Sequence, residues 1–275
     1  MKALHYAVLI VGLAGCGDLA TVREFARSGS EVAASQPIFA DWEGGYTRAR
    51  QLAASAEMKA ADPVREARLK AGADIAAENG PFALRAAQTL SIYLRTLALL
   101  ADDKLPDVSQ EAGDIQKSLA AVKVGASGSG AVNAILTALE VPLDLWRQRT
   151  IRDLIVNSDP HVQVITAFLA TAAITVRSAK AQVGQTFIEY YDVSAINTRD
   201  SGVRAVLRRA HWEEEARIQE QQQKAQKAAE AFEAIGRDHA VLARNAQSLS
   251  GEVVKTVLAN DIPLLQGALK VLTAR

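Results

Sequence analysis

The stretch HVQVITAFLATAAITVRSAKAQVGQTFIEYY, residues 161–191, decides the fold class. Its apolar side chains at Ile165, Leu169, Ala172, Val176, Ala179, Val183, Phe187 and Tyr190 recur at mixed steps of three and four residues. That is the period of an α-helix with one buried stripe. Ala83, Ala87, Leu90, Leu94, Leu97 and Ala101 repeat the pattern upstream, and Ala228, Phe232, Ile235, His239, Leu242, Ala246 and Leu249 repeat it downstream. Stripes held over so many turns predict long helices packed side by side in a bundle. Composition agrees: aromatics make up only 5% of 275 residues and alanine is abundant, which suits closely approaching helices and not a sheet. The expected fold is all-α, an elongated helical bundle with long coiled-coil-like helices.

Prolines mark the expected boundaries, because the residue before proline resists helical geometry and proline suits the first helical position. Asp62-Pro63, Gly80-Pro81 and Asp159-Pro160 each read as a cap followed by a helix start. Asp18 to Ala60 reads as two or three pieces, broken near Gly29, near Pro37 and at Gly44-Gly45. Further helices are expected from Val108 to Val124, from Ala131 to Val156 with a kink at Pro142, and as a closing pair, Gly251 to Ala259 and Pro263 to Thr273. The longest helix should run from a Thr198 cap to about Ser248, roughly 75 Å. Its middle, Arg208 to Lys227, offers only Trp212 and Ile218 for burial, so it is predicted to project from the bundle or to lie along its rim.

Lysine plus arginine and aspartate plus glutamate both total 31, so no net field favours nucleic acid or anionic lipid. A single cysteine, Cys16, excludes an intrachain disulfide. Ahead of it, Lys2 and the apolar run Ala7 to Leu13 have the order of an export signal, too short for the ~20 residues that span a bilayer. Leu13-Ala14-Gly15-Cys16 resembles the lipobox of bacterial lipoproteins. The resemblance covers only the first tenth of the chain. It implies a signal peptide, residues 1–15, cut before Cys16, whose thiol carries a diacylglycerol and whose new amine is acylated. The mature part, residues 16–275, is then expected to be a single elongated all-helical domain. Gly17 rather than aspartate after the cysteine implies, by the sorting rules of such lipoproteins, the periplasmic face of the outer membrane.

Chemical motifs are weak. Gly125, Gly128 and Gly130 lack the order and the lysine of a phosphate loop, and a helix-to-helix connection explains them. His161, His211 and His239 have no helical metal-site spacing among themselves; His239 falls on an apolar stripe and reads as a core histidine with one hydrogen bond, while His161 is expected at the surface. His211 and Glu215 share a helix face, two ligands at most. Asp41 and Glu43 flank Trp42 as acids flank aromatics in some sugar-cleaving sites, but an aromatic loop packing the first helices explains them as well. Glu213-Glu214-Glu215 beside Arg208-Arg209 reads as a solvated face with pairs four apart. No catalytic, cofactor or metal residue is assigned, and Cys16 is the one site residue, for lipidation. The expected function is a non-enzymatic scaffold or interaction role, with the membrane reached through the anchor, a protein partner, and no nucleic acid. The alternative is a membrane-active, pore-former-like helical protein inserting residues 161–191.

Overall fold

The computed structural model describes residues 19–35, 37–55, 58–59, 62, 64–102, 130–138 and 149–274. Eight helices lie among them: α1 Ala20–Ala34, α2 Pro37–Ala40, α3 Trp42–Ala53, α4 Arg65–Leu100, α5 Gly130–Ala138, α6 Arg149–Asn197, α7 Ser201–Arg244 and α8 Glu252–Thr273. No strand occurs among the described residues, and the fold is the all-α bundle expected. Cys16, the expected helix 108–124 and the Gly125/Gly128 loop lie outside the described residues; Gly130 begins α5.

The three sequence stripes form the core. Ala83, Ala87, Leu90, Leu94 and Leu97 of α4, Ile165, Leu169 and Val176 of α6, and Phe232, Ile235 and Leu242 of α7 are all buried. Each large side chain so removed from water contributes on the order of 2 kcal/mol. Phe187 and Tyr190, at the end of the α6 stripe, are only half-buried.

Helices α6 and α7 form an antiparallel hairpin and share the most extensive packing in the molecule. Asp159 meets His239, Arg177 meets Gln226, and Asp192 meets His211 in order along the pair. Helix α4 packs on α1, α3 and α6, and α8 packs on α7 and α1. Close approach explains two glycines. A Cβ at Gly29 of α1 would stand 3.0 Å from Leu94 Cδ1, and one at Gly184 of α6 would overlap Ile218 of α7.

Several expected boundaries are corrected. Pro81 lies inside α4, Pro160 inside α6 and Pro263 inside α8, so no helix starts at the first two and the closing pair is one helix. A proline in a helix interior leaves the carbonyl four residues back without its donor. Here Pro81, Pro160 and Pro263 are exposed, and so are Ala77, Val156 and Ala259 four residues before them. Water can therefore serve each freed carbonyl, while the buried stripe continues past the proline on the opposite face. Gly29 and Gly44-Gly45 likewise lie inside α1 and α3; of the breaks expected in this stretch the one near Pro37 is present, after Ser35, and a second falls at Asp41. The helix expected from Ala131 is described to Ala138, and its later part from Arg149 belongs to α6.

The long helix starts after Asp200, not Thr198: Asp200 Oδ1 accepts from the amides of Gly202 at 2.7 Å and Val203 at 3.0 Å, the geometry of an N-cap. Thr198 Oγ1 supports it by accepting from the Asp200 amide. What projects is not one helix but the hairpin end. Between residues 190 and 213 only Ala195 is buried, and the hydrogen bonds there run within or between the two helices. This two-helix arm extends roughly 15 Å past Glu189, which binds Arg65 at the start of α4.

Candidate functional site

The molecule has two distinct ends. At one, the arm closes through Thr198, Arg199 and Asp200. Arg65 meets Glu189 near that end, whereas Tyr93 on the same helix meets His239 far from it. Asp102, nine residues beyond Tyr93, therefore lies at the opposite end, the base, and there it pairs with Arg23 of α1 at 2.9 Å. Helix α1 thus enters at the base. Helix α6 runs the length between them, 49 residues, or about 73 Å.

The arm exposes four large apolar side chains close together, where the body exposes such residues one at a time, as at Val64, Val164 and Val253. Ile196 is 81% exposed, Val206 68%, Trp212 66% and Val203 47%. Trp212, expected to be buried, lies on the side of α7 turned away from α6, while Ile218 is half-buried against Gly184. The solvated part of α7 includes the stretch expected, Arg208 to Lys227, where only Glu214 and Ala225 are buried, and extends back to the start of the helix. Glu214 is held by Arg217, and Arg209 pairs with Glu213 at 2.7 Å, one of the pairs four apart read from the sequence. His211 does not pair with Glu215; its Nδ1 lies 2.8 Å from Asp192 across the arm.

Deep in the base, Tyr93 of α4, Asp159 of α6 and His239 of α7 form one buried polar chain. Tyr93 Oη lies 2.6 Å from His239 Nε2, and His239 Nδ1 lies 2.8 Å from Asp159 Oδ1. His239 is the core histidine expected, with two bonds rather than one. Asp159 also accepts from Gln163. The His239 hydrogen bond holds the Asp159 carboxyl below its ordinary range against the opposing effect of burial, and burial pushes the Tyr93 phenol up. The chain is fully enclosed at Tyr93 and His239 and part-exposed only at Asp159, and it holds three helices in register.

An open cleft of about 660 Å³ lies between α6, α7 and α8, with Gln163, Glu233, Asp238, Arg244 and Asp261 among its walls. Asp238 is fully buried and both its carboxyl oxygens lack a hydrogen-bond partner. Burial, with the Asp261 carboxylate next, pushes its pKa up to about 8. Its oxygens are closed off from the cleft, so a ligand there would not reach them.

The residues flanking Trp42 do not form a loop. Asp41 precedes α3 and Trp42 is buried in it, as is Tyr46, whose hydroxyl donates to Gln182 Oε1. Asp41 is paired with Arg48, whose hydrogen bond lowers its pKa, while Glu43 is exposed. His161 is half-buried. Among the described residues no group of three or more His, Cys, Asp or Glu side chains could hold a metal ion. The arm was legible in outline from its polar stretch. The buried chain was half legible, since His239 stood out on its stripe whereas Asp159 read as a cap before Pro160. Comparison with protein-family models, with curated proteins and with solved structures finds no match to this chain.

Proposed function

We propose that the chain is a lipid-anchored protein of the cell envelope with a non-enzymatic scaffold or interaction role, held at the periplasmic face of the outer membrane through Cys16. The observation that carries this reading is the opposition of the two ends. Helix α1 begins at the base, and Cys16 precedes Leu19 by three positions in the sequence, so an acylated Cys16 would tether the body at that end. The arm with Ile196, Val206 and Trp212 then stands roughly 70 Å away, and it is the contact surface. Several acyl chains on one cysteine give an anchor that a single chain does not, at about 0.8 kcal/mol per buried methylene.

Mass spectrometry of the amino terminus from membrane fractions tests the anchor. An acylated Cys16, with release or stalling of Cys16→Ser, is the expected result; an unmodified thiol in a chain still beginning at Met1 would overturn it. The second reading, a membrane-active helical protein, draws on the stretch Ile151–Asn197, which is long and apolar enough to cross a membrane. Half of its most apolar window is buried within the body, which favours the scaffold.

A further inference from the structure

The tip of the arm combines positive charge with exposed apolar groups, while the acids Asp192 and Glu213 lie farther back on it. Residues 196–209 hold four arginines, Arg199, Arg204, Arg208 and Arg209, against one acid, Asp200, in a chain whose total charge is zero. Asp200 is engaged in capping its own helix. Arg204 donates to the Thr198 carbonyl and Arg209 to Glu213, whereas Arg199 and Arg208 make no ion pair among the described residues. Between these charges stand the exposed Ile196, Val203 and Val206, and Trp212 follows on the outer face of α7.

From this juxtaposition we infer that the end of the arm docks on an anionic phospholipid bilayer, with the turn and the first three turns of α7 lying in the headgroup layer. Charge complementarity selects an anionic surface, to which each arginine near the plane adds attraction. The choice of lipid over an acidic protein follows from the shape. A specific protein interface needs about 800 Å² of matched surface on each side, and here a few aliphatic groups and one tryptophan are spaced between arginines at the end of a two-helix hairpin. A fluid interface needs no matching shape: aliphatic side chains enter the acyl boundary, tryptophan settles at headgroup level, and arginine stems reach up to phosphate. Glu213 and Glu215, exposed just past Trp212, limit the contact to the arm's end by repulsion. The inference rests on the arm as contact surface but not on Cys16: with an anchor at the base, the molecule would join two lipid surfaces.

The test uses the full chain with Cys16→Ser, so that no acyl group contributes, and vesicles of phosphatidylcholine alone or with 30% phosphatidylglycerol. Flotation should show binding to the anionic vesicles that weakens with salt. The double variant Arg199→Gln with Arg208→Gln should lose more than tenfold in affinity, as should Ile196→Ser with Val206→Ser, both with helicity and unfolding midpoint preserved because these four side chains are exposed. Brominated anionic lipid should quench a fluorescence component that Trp212→Phe removes. Absence of binding, equal binding to both vesicles, or binding indifferent to the arm variants overturns the inference. Arm variants that abolish capture of an envelope protein while vesicle binding is unchanged overturn it in favour of a protein partner. An unacylated Cys16 in the separate mass measurement removes the anchor and leaves this result standing.

Discussion

Tyr93 Oη and His239 Nε2 meet at 2.6 Å in the core, 146 positions apart in sequence, and their bond is intelligible only with Asp159 beside it. The ionised Asp159 can only accept, so His239 Nδ1 carries a proton and donates to it. In the neutral ring Nε2 is then an acceptor, and the Tyr93 hydroxyl, kept protonated by burial, is its donor. Tyr93→Phe leaves Nε2 buried and unpaired and is expected to destabilise by about 1–3 kcal/mol. His239→Phe strips partners from both neighbours and should cost more. Urea unfolding of the two variants checks the order; a Tyr93→Phe protein as stable as wild type would mean the bond contributes nothing net.

Asp238 gives the fold a pH dependence of definite sign. Its carboxyl titrates near 8 when folded and near 3.8 otherwise, so between those values the folded chain holds a proton that the unfolded chain has released. Stability conferred below pH 4 therefore falls as pH rises, by on the order of 1 kcal/mol per unit, and levels off above about 8. The groups facing Asp238 are Asp261, which raises its pKa, and Arg237, which lowers it. Asp238→Asn mimics the protonated form without the liability. Its advantage over wild type, from denaturant midpoints at pH 5 through 9, should grow with pH and then plateau near 8; a constant difference would sink the assignment.

How much of this was readable beforehand depends on what a residue's meaning rests on. Leu90, Leu169 and Phe232 were placed in the core by periodicity alone, because a stripe of one helix face is a local property and all three are buried. Pro81, Pro160 and Pro263 were misread because their cost depends on which face they occupy, and only packing decides whether water reaches the freed carbonyl. Trp212 was misread for a related reason: a large aromatic suggests burial, but among the described residues nothing covers that side of α7 and the side chain is left 66% exposed. Asp238 was invisible, since an acid beside a core histidine looks like any solvated acid until the Asp261 carboxyl of α8 arrives beside it.

Gly184 sits where the arm leaves the body, and a Cβ there would overlap Ile218. In an isolated helix, Gly→Ala is favourable by about 1 kcal/mol. At this position the Ile218 side chain must yield on its branch, and overpacking of that kind costs about 1–3 kcal/mol. Gly184→Ala is therefore expected to be destabilising on balance, and Gly184→Val more so. Hydrogen exchange should locate the change in residues 190–213, where little else holds the two helices together, with the base unaffected. A uniformly stabilised Gly184→Ala protein would show that Ile218 repacks without strain.

The sharpest discrimination between scaffold and membrane-active protein lies on two faces of α6. Leu169 is fully buried and Val164, five residues before it, is 56% exposed. If the helix remains packed in the bundle, Leu169→Asp buries an unpaired charge and should destabilise the whole body by more than 3 kcal/mol, while Val164→Asp changes stability by less than about 0.5 kcal/mol. If the helix leaves the bundle to span a bilayer, both aspartates enter hydrocarbon, and Val164→Asp in particular should suppress leakage of dye from anionic vesicles while leaving the soluble fold intact. Unfolding midpoints and dye release from the Cys16→Ser chain and the same chain carrying each aspartate decide the matter. The expected outcome is no release from any of the three and a loss of stability confined to Leu169→Asp, because an arm that rests in the headgroup layer leaves the α6 stripe where Val176 and Ile165 hold it.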